Sequence, residues 1–163
     1  MENNFFVELY TDGAAKGNPG PGGYGAVLIS RAHNLRKEFS GGYRLTTNNR
    51  MELMAVIVGL EALKNSGTHV KIYSDSQYVI DSVNKKWLDS WVNKHFKNKK
   101  NRDLWERVYE LKNKHKTEWF WIRGHNGHPL NEYCDRLAVA ESEKSNLPPD
   151  VYYEQNAKNE AED

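Results

Sequence analysis

The chain has 163 residues, 38% of them hydrophobic, which supplies one sizeable core and argues against two separate domains. Its net charge of +1 averages two unlike regions: residues 81–116 hold 11 Lys and Arg against 5 Asp and Glu, whereas residues 132–163 hold 3 against 9. The single cysteine, Cys134, excludes an internal disulfide and makes a structural zinc site unexpected.

The start MENNFFVELY lacks the basic residues and apolar run of a signal peptide. No stretch approaches the roughly 18 apolar residues of a membrane span. A soluble, monomeric, cytoplasmic protein with no membrane partner is expected.

FFVELYTD (5–12) alternates as a strand does and stops at Asp12-Gly13. GAAKGNPGPGGYG (13–25) concentrates glycine and proline and reads as a loop. YGAVLIS (24–30) and LRKEFSGGYRL (35–45) are further strands, and connections this short favour antiparallel neighbours. Thr47 or Asn48 caps a first helix that carries Leu53, Val56, Ile57, Leu60 and Leu63 at helical spacing and is ended by Gly67. HVKIYSDS (69–76) is a strand ending at Asp75. SQYVIDSVN (76–84) is a short helix. WLDSWVNKHF (87–96) begins another, with Trp87, Trp91 and His95 spaced four apart.

KNKKNR (97–102) breaks the apolar pattern and is exposed; DLWERVYELKNKH (103–115) is helical, with Leu104, Val108 and Leu111 inward. TEWFWIRG (117–124) is a final strand and NEYCDRLAVAESEK (131–144) a final helix. This order predicts an α/β (mixed α+β) domain over residues 1–145, with a parallel pair between the first strand and the one ending at Asp75. Residues 146–163 read as a flexible acidic tail in which Val151 to Tyr153 offer a patch able to dock.

Ligands of such sheets gather beyond the carboxyl ends of parallel strands. Asp12 and Asp75 end two strands that emerge at one edge. Glu52 lies near the start of the first helix beside core-facing Leu53 and Val56, and Asp135 lies early in the last helix. Four carboxylates brought together stay charged only with a compensating cation. An oxygen-only donor set suits Mg2+ or Mn2+, and two such ions about 4 Å apart can bind the attacking and leaving oxygens of a phosphoryl transfer. Each acid taken alone reads first as a surface or capping residue; the conjunction of the four is what points to a metal site.

Five stretches carry a resemblance: TDGAAKGNPGPGGYGAVL (11–28), TTNNRMELMAVIVGLEAL (46–63), SDSQYV (74–79), DLWERV (103–108) and WIRGHNGHPLNEYCDRLA (121–138). Together they resemble the ribonuclease H family, type 1, in its free-standing bacterial form. The resemblance implies a five-stranded mixed sheet flanked by helices. It also implies endonucleolytic hydrolysis of the RNA strand of an RNA–DNA hybrid by two Mg2+ ions, with Mn2+ a substitute, leaving 5′-phosphate and 3′-hydroxyl ends.

The family's metal-binding carboxylates fall on Asp12, Glu52, Asp75 and Asp135, and its catalytic histidine on His125. Its hybrid contacts fall on Asn18, Asn48, Asn49 and Gln77. Its basic protrusion falls on Lys94, Lys97, Lys99 and Lys100, with Asn101 near the DNA backbone. Ala14 and Ala15 depart from the small polar residue or cysteine common there. No added hybrid-binding domain accompanies the motifs, so grip is expected from the catalytic domain itself.

Several features have plainer readings. His125 and His128 lie three apart but lack the cysteines of a zinc site, and His128 before Pro129 suits a structural role. GNPGPGG lacks the Gly-Lys-Ser/Thr ending of a nucleotide loop; close approach to a minor groove is its better use. Asn18, Asn49 and Gln77 can each donate and accept, as recognition of a 2′-hydroxyl requires. Trp87, Trp91, Trp105, Trp119, Trp121 and Cys134 read as core. A binding-only module is the competing function; it should have lost at least one of the four carboxylates, and all are present.

Overall fold

The computed structural model describes residues 5–124 and 127–156. At its centre is a five-stranded sheet in the order β3-β2-β1-β4-β5. β1 (Val7–Ala15), β2 (Gly20–Ser30) and β3 (Leu35–Thr46) form an antiparallel meander, as their short connections require. β4 (His69–Ser74) returns parallel to β1 through the crossover helix α1 (Asn48–Glu61), and β5 (Lys116–Trp121) lies parallel to β4.

Helix α1 has no polar face. Met51, Leu53, Met54, Ala55, Val56, Ile57 and Leu60 are all buried, and so are Arg50 and Glu52. A helix apolar nearly all round belongs inside a fold, and α1 packs on β1 and β2 with α4 (Arg102–Lys114) outside it. Thr47 is its cap: the hydroxyl accepts from Arg50 N at 3.2 Å. α2 (Gln77–Asn84) and α3 (Trp87–Asn93) complete this layer. α5 (Pro129–Ser142) packs on β1, β2 and β3 from the other side.

Four readings of the sequence are corrected. Most of the glycine run is strand, not loop: β1 continues through Ala15 and β2 begins at Gly20, which leaves residues 16–19 as the turn. Gly23 and Gly25 are there because helix backbone lies on them; a Cβ would come within 2.2 Å of Ala138 O and 2.6 Å of Cys134 O respectively. Helix α1 stops at Glu61, and Gly67, at φ +79°, serves the turn into β4, its N–H donating to Lys114 O. α3 stops at Asn93, because His95, Phe96 and Asn98 take left-handed backbone angles that a helix cannot accommodate.

The fourth correction concerns the segment after Asn146, where the alternative of docking through residues 151–153 holds in place of a flexible tail. Residues 151–156 form a short helix, α6 (Val151–Asn156), with Tyr153 buried. Arg44 pairs with Glu154 at 2.7 Å and its N–H donates to Pro148 O, while Asp150 reaches Arg50 inside the domain. Residues 157–163 lie outside the described residues.

Candidate active site

Asp12 sits within β1, opposite Gly25 of β2, one residue past the last parallel partner pair of β1 and β4, Thr11 and Ser74. Asp75 follows Ser74. The two acids therefore stand just beyond the end of the parallel ladder, as expected, although Asp12 does not end its strand. The turn after β4 is fixed by Ser76 N donating to the Ser74 hydroxyl and by the Ser76 hydroxyl capping α2 at Val79 N.

Glu52 reaches the same place because α1 runs hard against β1 at Gly13, where a Cβ would lie 2.4 Å from Glu52 N. One carboxylate oxygen from each of Asp12, Glu52 and Asp75 lies within 4.8 Å of the other two. Asp135, half-buried on α5, is outside that triad, yet its charge is felt at Asp12. Gly124 closes the other side: a Cβ there would meet Asp75 Oδ2 at 2.6 Å.

The electrostatics of this cluster point to a cation. Burial raises Asp12 to about 7; Asp75 and Asp135 add to the rise, while Glu52 and the Gly13 N–H hold it down. Burial, then the charge of Asp12, pushes Glu52 well above the usual carboxylate range. Glu52 Oε1 is buried without a hydrogen-bond partner among the described residues. A buried carboxylate oxygen left unpaired beside two other acids is costly, and a hard divalent cation removes that cost. The residues present fit such an ion.

Around the triad, Asn18 Oδ1 accepts from Asn48 N at 3.1 Å, so the turn between β1 and β2 is tied to the first residue of α1. Asn49 follows on that turn, half-buried, and exposed Gln77 opens α2 two residues after Asp75. Lys94, Lys97 and Lys99 are exposed and Lys100 half-buried on the lobe between α3 and α4. Buried Phe96 anchors this lobe, and Lys99 Nζ lies 5.1 Å from the Trp91 ring centre.

Asn101 departs from its expected place at a nucleic-acid backbone. It is 6% exposed, its Oδ1 accepts from Arg50, and its Nδ2 donates to the Tyr78 hydroxyl. Its side chain serves the interior. His125 lies outside the described residues. His128 opens α5 without a side-chain cap bond, its carbonyl accepting from Glu132 N.

The model of the RNase H family matches residues 4–143, the whole sheet and all the helices up to α5. The chain belongs to the ribonuclease H family. The ribonuclease H of Rippkaea orientalis is 53% identical over 153 residues, covering 91% of this chain and 92% of its own. That of Desulforamulus reducens is 53% identical over 150 residues, covering 89% and 92%. Among solved structures, LC9-RNase H1, described as a type 1 RNase H with the type 2 active-site motif, superposes with a TM-score of 0.77. It is 31% identical and covers 96% of this chain and 83% of its own. Ribonucleases H are divalent-metal-dependent hydrolases, and the triad supplies the acidic cluster that such an enzyme needs. No described helix is long and apolar enough to cross a membrane.

Three features of this chain are not visible in its sequence. Trp87 and Trp121, read as core, are 45% and 42% exposed. Trp121 holds the site, its indole N–H donating to Asp75 O. Arg50, inside the NNRMEL stretch, is the buried hub of an ion-pair network rather than a surface residue. The only signal in the sequence is an arginine placed among core-facing neighbours.

Proposed function

We propose that the enzyme hydrolyses the RNA strand of RNA–DNA hybrids, leaving 5′-phosphate and 3′-hydroxyl ends. Two divalent cations, Mg2+ with Mn2+ as substitute, would be held by Asp12, Glu52, Asp75 and Asp135. The observation that carries this reading is the triad of carboxylates within 4.8 Å, set beside the amide-bearing starts of α1 and α2. When bound, the cations polarise the attacking water and stabilise the leaving 3′-oxygen.

Asp12, on the rigid strand β1, would share the ions with Glu52 and Asp75, and Asp135, on α5, would complete the donor set. Asn18, Asn48, Asn49 and Gln77 both donate and accept, which suits the 2′-hydroxyls of a shallow A-form-like groove. Recognition of this kind reads shape, so little base preference is expected. The exposed lysines of the α3–α4 lobe hold phosphates and offset the repulsion between an acidic site and a polyanion. Proton transfer is assigned to His125, an imidazole able to take up and release a proton near neutral pH.

The test is incubation with Mg2+ and end-labelled RNA–DNA, RNA–RNA and DNA–DNA duplexes. Cutting confined to the RNA strand of the hybrid and abolished by EDTA is expected. Equal cutting of duplex DNA, or cutting insensitive to EDTA, overturns the proposal.

A further inference from the structure

The family match ends at residue 143, yet Asp150 lies beyond it and is buried in the same network as the start of α1. Arg50 is 2% exposed, and a buried guanidinium must have its donors filled. Asp150 accepts from Arg50 Nε at 2.7 Å and Nη2 at 3.1 Å. Asp103 takes Nη1 and Nη2 at 2.9 and 2.7 Å, and Asn101 Oδ1 accepts from Nη1 at 3.3 Å. Burial works against the Arg50 charge, but Asp103 and Asp150 override it and hold the side chain protonated.

Asp150 is also bonded by the Thr46 hydroxyl at 2.7 Å. Thr46 ends β3, Thr47 caps α1, and the Thr47 hydroxyl accepts from Arg50 N. The carboxylate of Asp150 therefore grips Thr46 before the capping residue and Arg50 after it, and the turn so gripped carries Asn48 and Asn49. The network continues through Asn101 to the Tyr78 hydroxyl, which also accepts from Trp105 Nε1 at 2.7 Å, and Tyr78 adjoins Gln77.

We propose that Asp150 is a positioning residue for hybrid recognition. Through Arg50 and Thr46 it sets the first turn of α1, and through Asn101 and Tyr78 it couples that turn to the start of α2. The C-terminal segment is then part of the substrate-binding unit. This rests on the reading of Asn48, Asn49 and Gln77 as hybrid contacts.

Stability alone predicts a different kinetic pattern. A fraction of unfolded enzyme lowers the active concentration and so the apparent kcat, while the KM of the molecules that remain folded is unchanged. Displaced amides weaken binding itself, and small misplacements are costly. Asp150→Asn keeps the shape and removes the charge. Thr46→Val removes one bond and leaves the ion pairs, so it carries the test if Asp150→Asn does not fold. Leu60→Ala, in the core away from the network, is the control for reduced stability.

KM and kcat on the hybrid are measured at a temperature where all variants are folded by circular dichroism. Affinities for hybrid and for duplex DNA are measured by anisotropy in EDTA. Asp150→Asn should raise KM and the hybrid Kd by roughly tenfold, and Thr46→Val by roughly threefold, with saturated kcat within about twofold. Affinity for duplex DNA, held by the lysines, should not change. A wild-type KM in both variants, or an equal KM rise in Leu60→Ala, overturns the proposal. Failure of the wild-type protein to cut hybrid would instead count against the assigned reaction.

Discussion

The indole N–H of Trp121 donates to the backbone carbonyl of Asp75 at 3.1 Å, from the last residue of β5 to the first residue after β4. The bond crosses the end of the parallel ladder, where Trp121 lies opposite Ser74. It fixes the backbone from which one metal-binding carboxylate is proposed to project. Trp121→Phe keeps an aromatic ring and removes the donor. An exposed bond of this kind contributes about 1 kcal/mol to stability, so the melting temperature should fall by only a few degrees. The Mg2+ concentration giving half-maximal activity should rise several-fold. A Mg2+ titration checks this, and an unchanged midpoint would show that Asp75 needs no such support.

Asp12→Asn should separate stability from activity. Burial penalises the charges of Asp12 and Glu52; Asp75 and Asp135 also oppose the charge of Asp12, and Asp12 opposes that of Glu52. Removing the Asp12 charge relieves the metal-free protein. Turnover should collapse by several orders of magnitude, while the melting temperature in EDTA rises by about 2–5 °C. Calorimetry in EDTA beside a hybrid-cleavage assay reads both, and a lower melting temperature would contradict the electrostatic argument.

Replacing Lys94, Lys97, Lys99 and Lys100 together by Ala should act on binding alone. These side chains lie on the lobe between α3 and α4, and none belongs to the carboxylate triad. Each phosphate that the variant no longer neutralises should lower the log–log salt slope by at most about 0.9. KM should rise most clearly at moderate salt, with kcat at saturating hybrid within a few-fold and RNA-strand selectivity kept. A KCl series on the quadruple variant tests this; an unchanged slope would mark the lobe as ordinary solvated surface.

His115 gives the fold a pH dependence. It is buried at the entrance to β5, its Nδ1 accepts from Thr68 N at 3.3 Å, and burial, then Lys114, holds it below its usual value of 6.5. Protonating Nδ1 would break that bond. The unfolded chain therefore binds the proton more readily, and His115 removes stability as pH falls through about 6.5. His115→Asn keeps an acceptor for Thr68 and cannot titrate. The stability of wild type relative to His115→Asn should fall between pH 8 and pH 5 in urea melts; a constant difference would show that His115 is not the group responsible.

The five strands, α1, α2, α4 and α5 are legible in the sequence because apolar periodicity and short connections are local signals. So is the convergence of Asp12 and Asp75, which follows from a single parallel pair. The extent of β1 and β2 is not: Gly23 and Gly25 look like turn glycines, and only the helix lying on them explains their place in a strand. Asp150 reads as tail because its partner, Arg50, is 100 residues away. Trp121 reads as core because alternation distinguishes the two faces of a strand without showing that the strand end is uncovered. In each case the role of the residue depends on a neighbour distant in sequence.

The bare backbone of Gly25 works as a spacer of zero thickness. It lies across from Asp12 on one side and under Cys134 O on the other, and Cys134 directly precedes Asp135. How far Asp135 stands from the other three acids is thus set on β2, by a side chain that does not exist. Adding one methyl there would lift α5 away from the sheet and carry Asp135 with it. A substitution at Gly25, which touches no metal and no nucleic acid, would then behave in an assay like damage to the metal site.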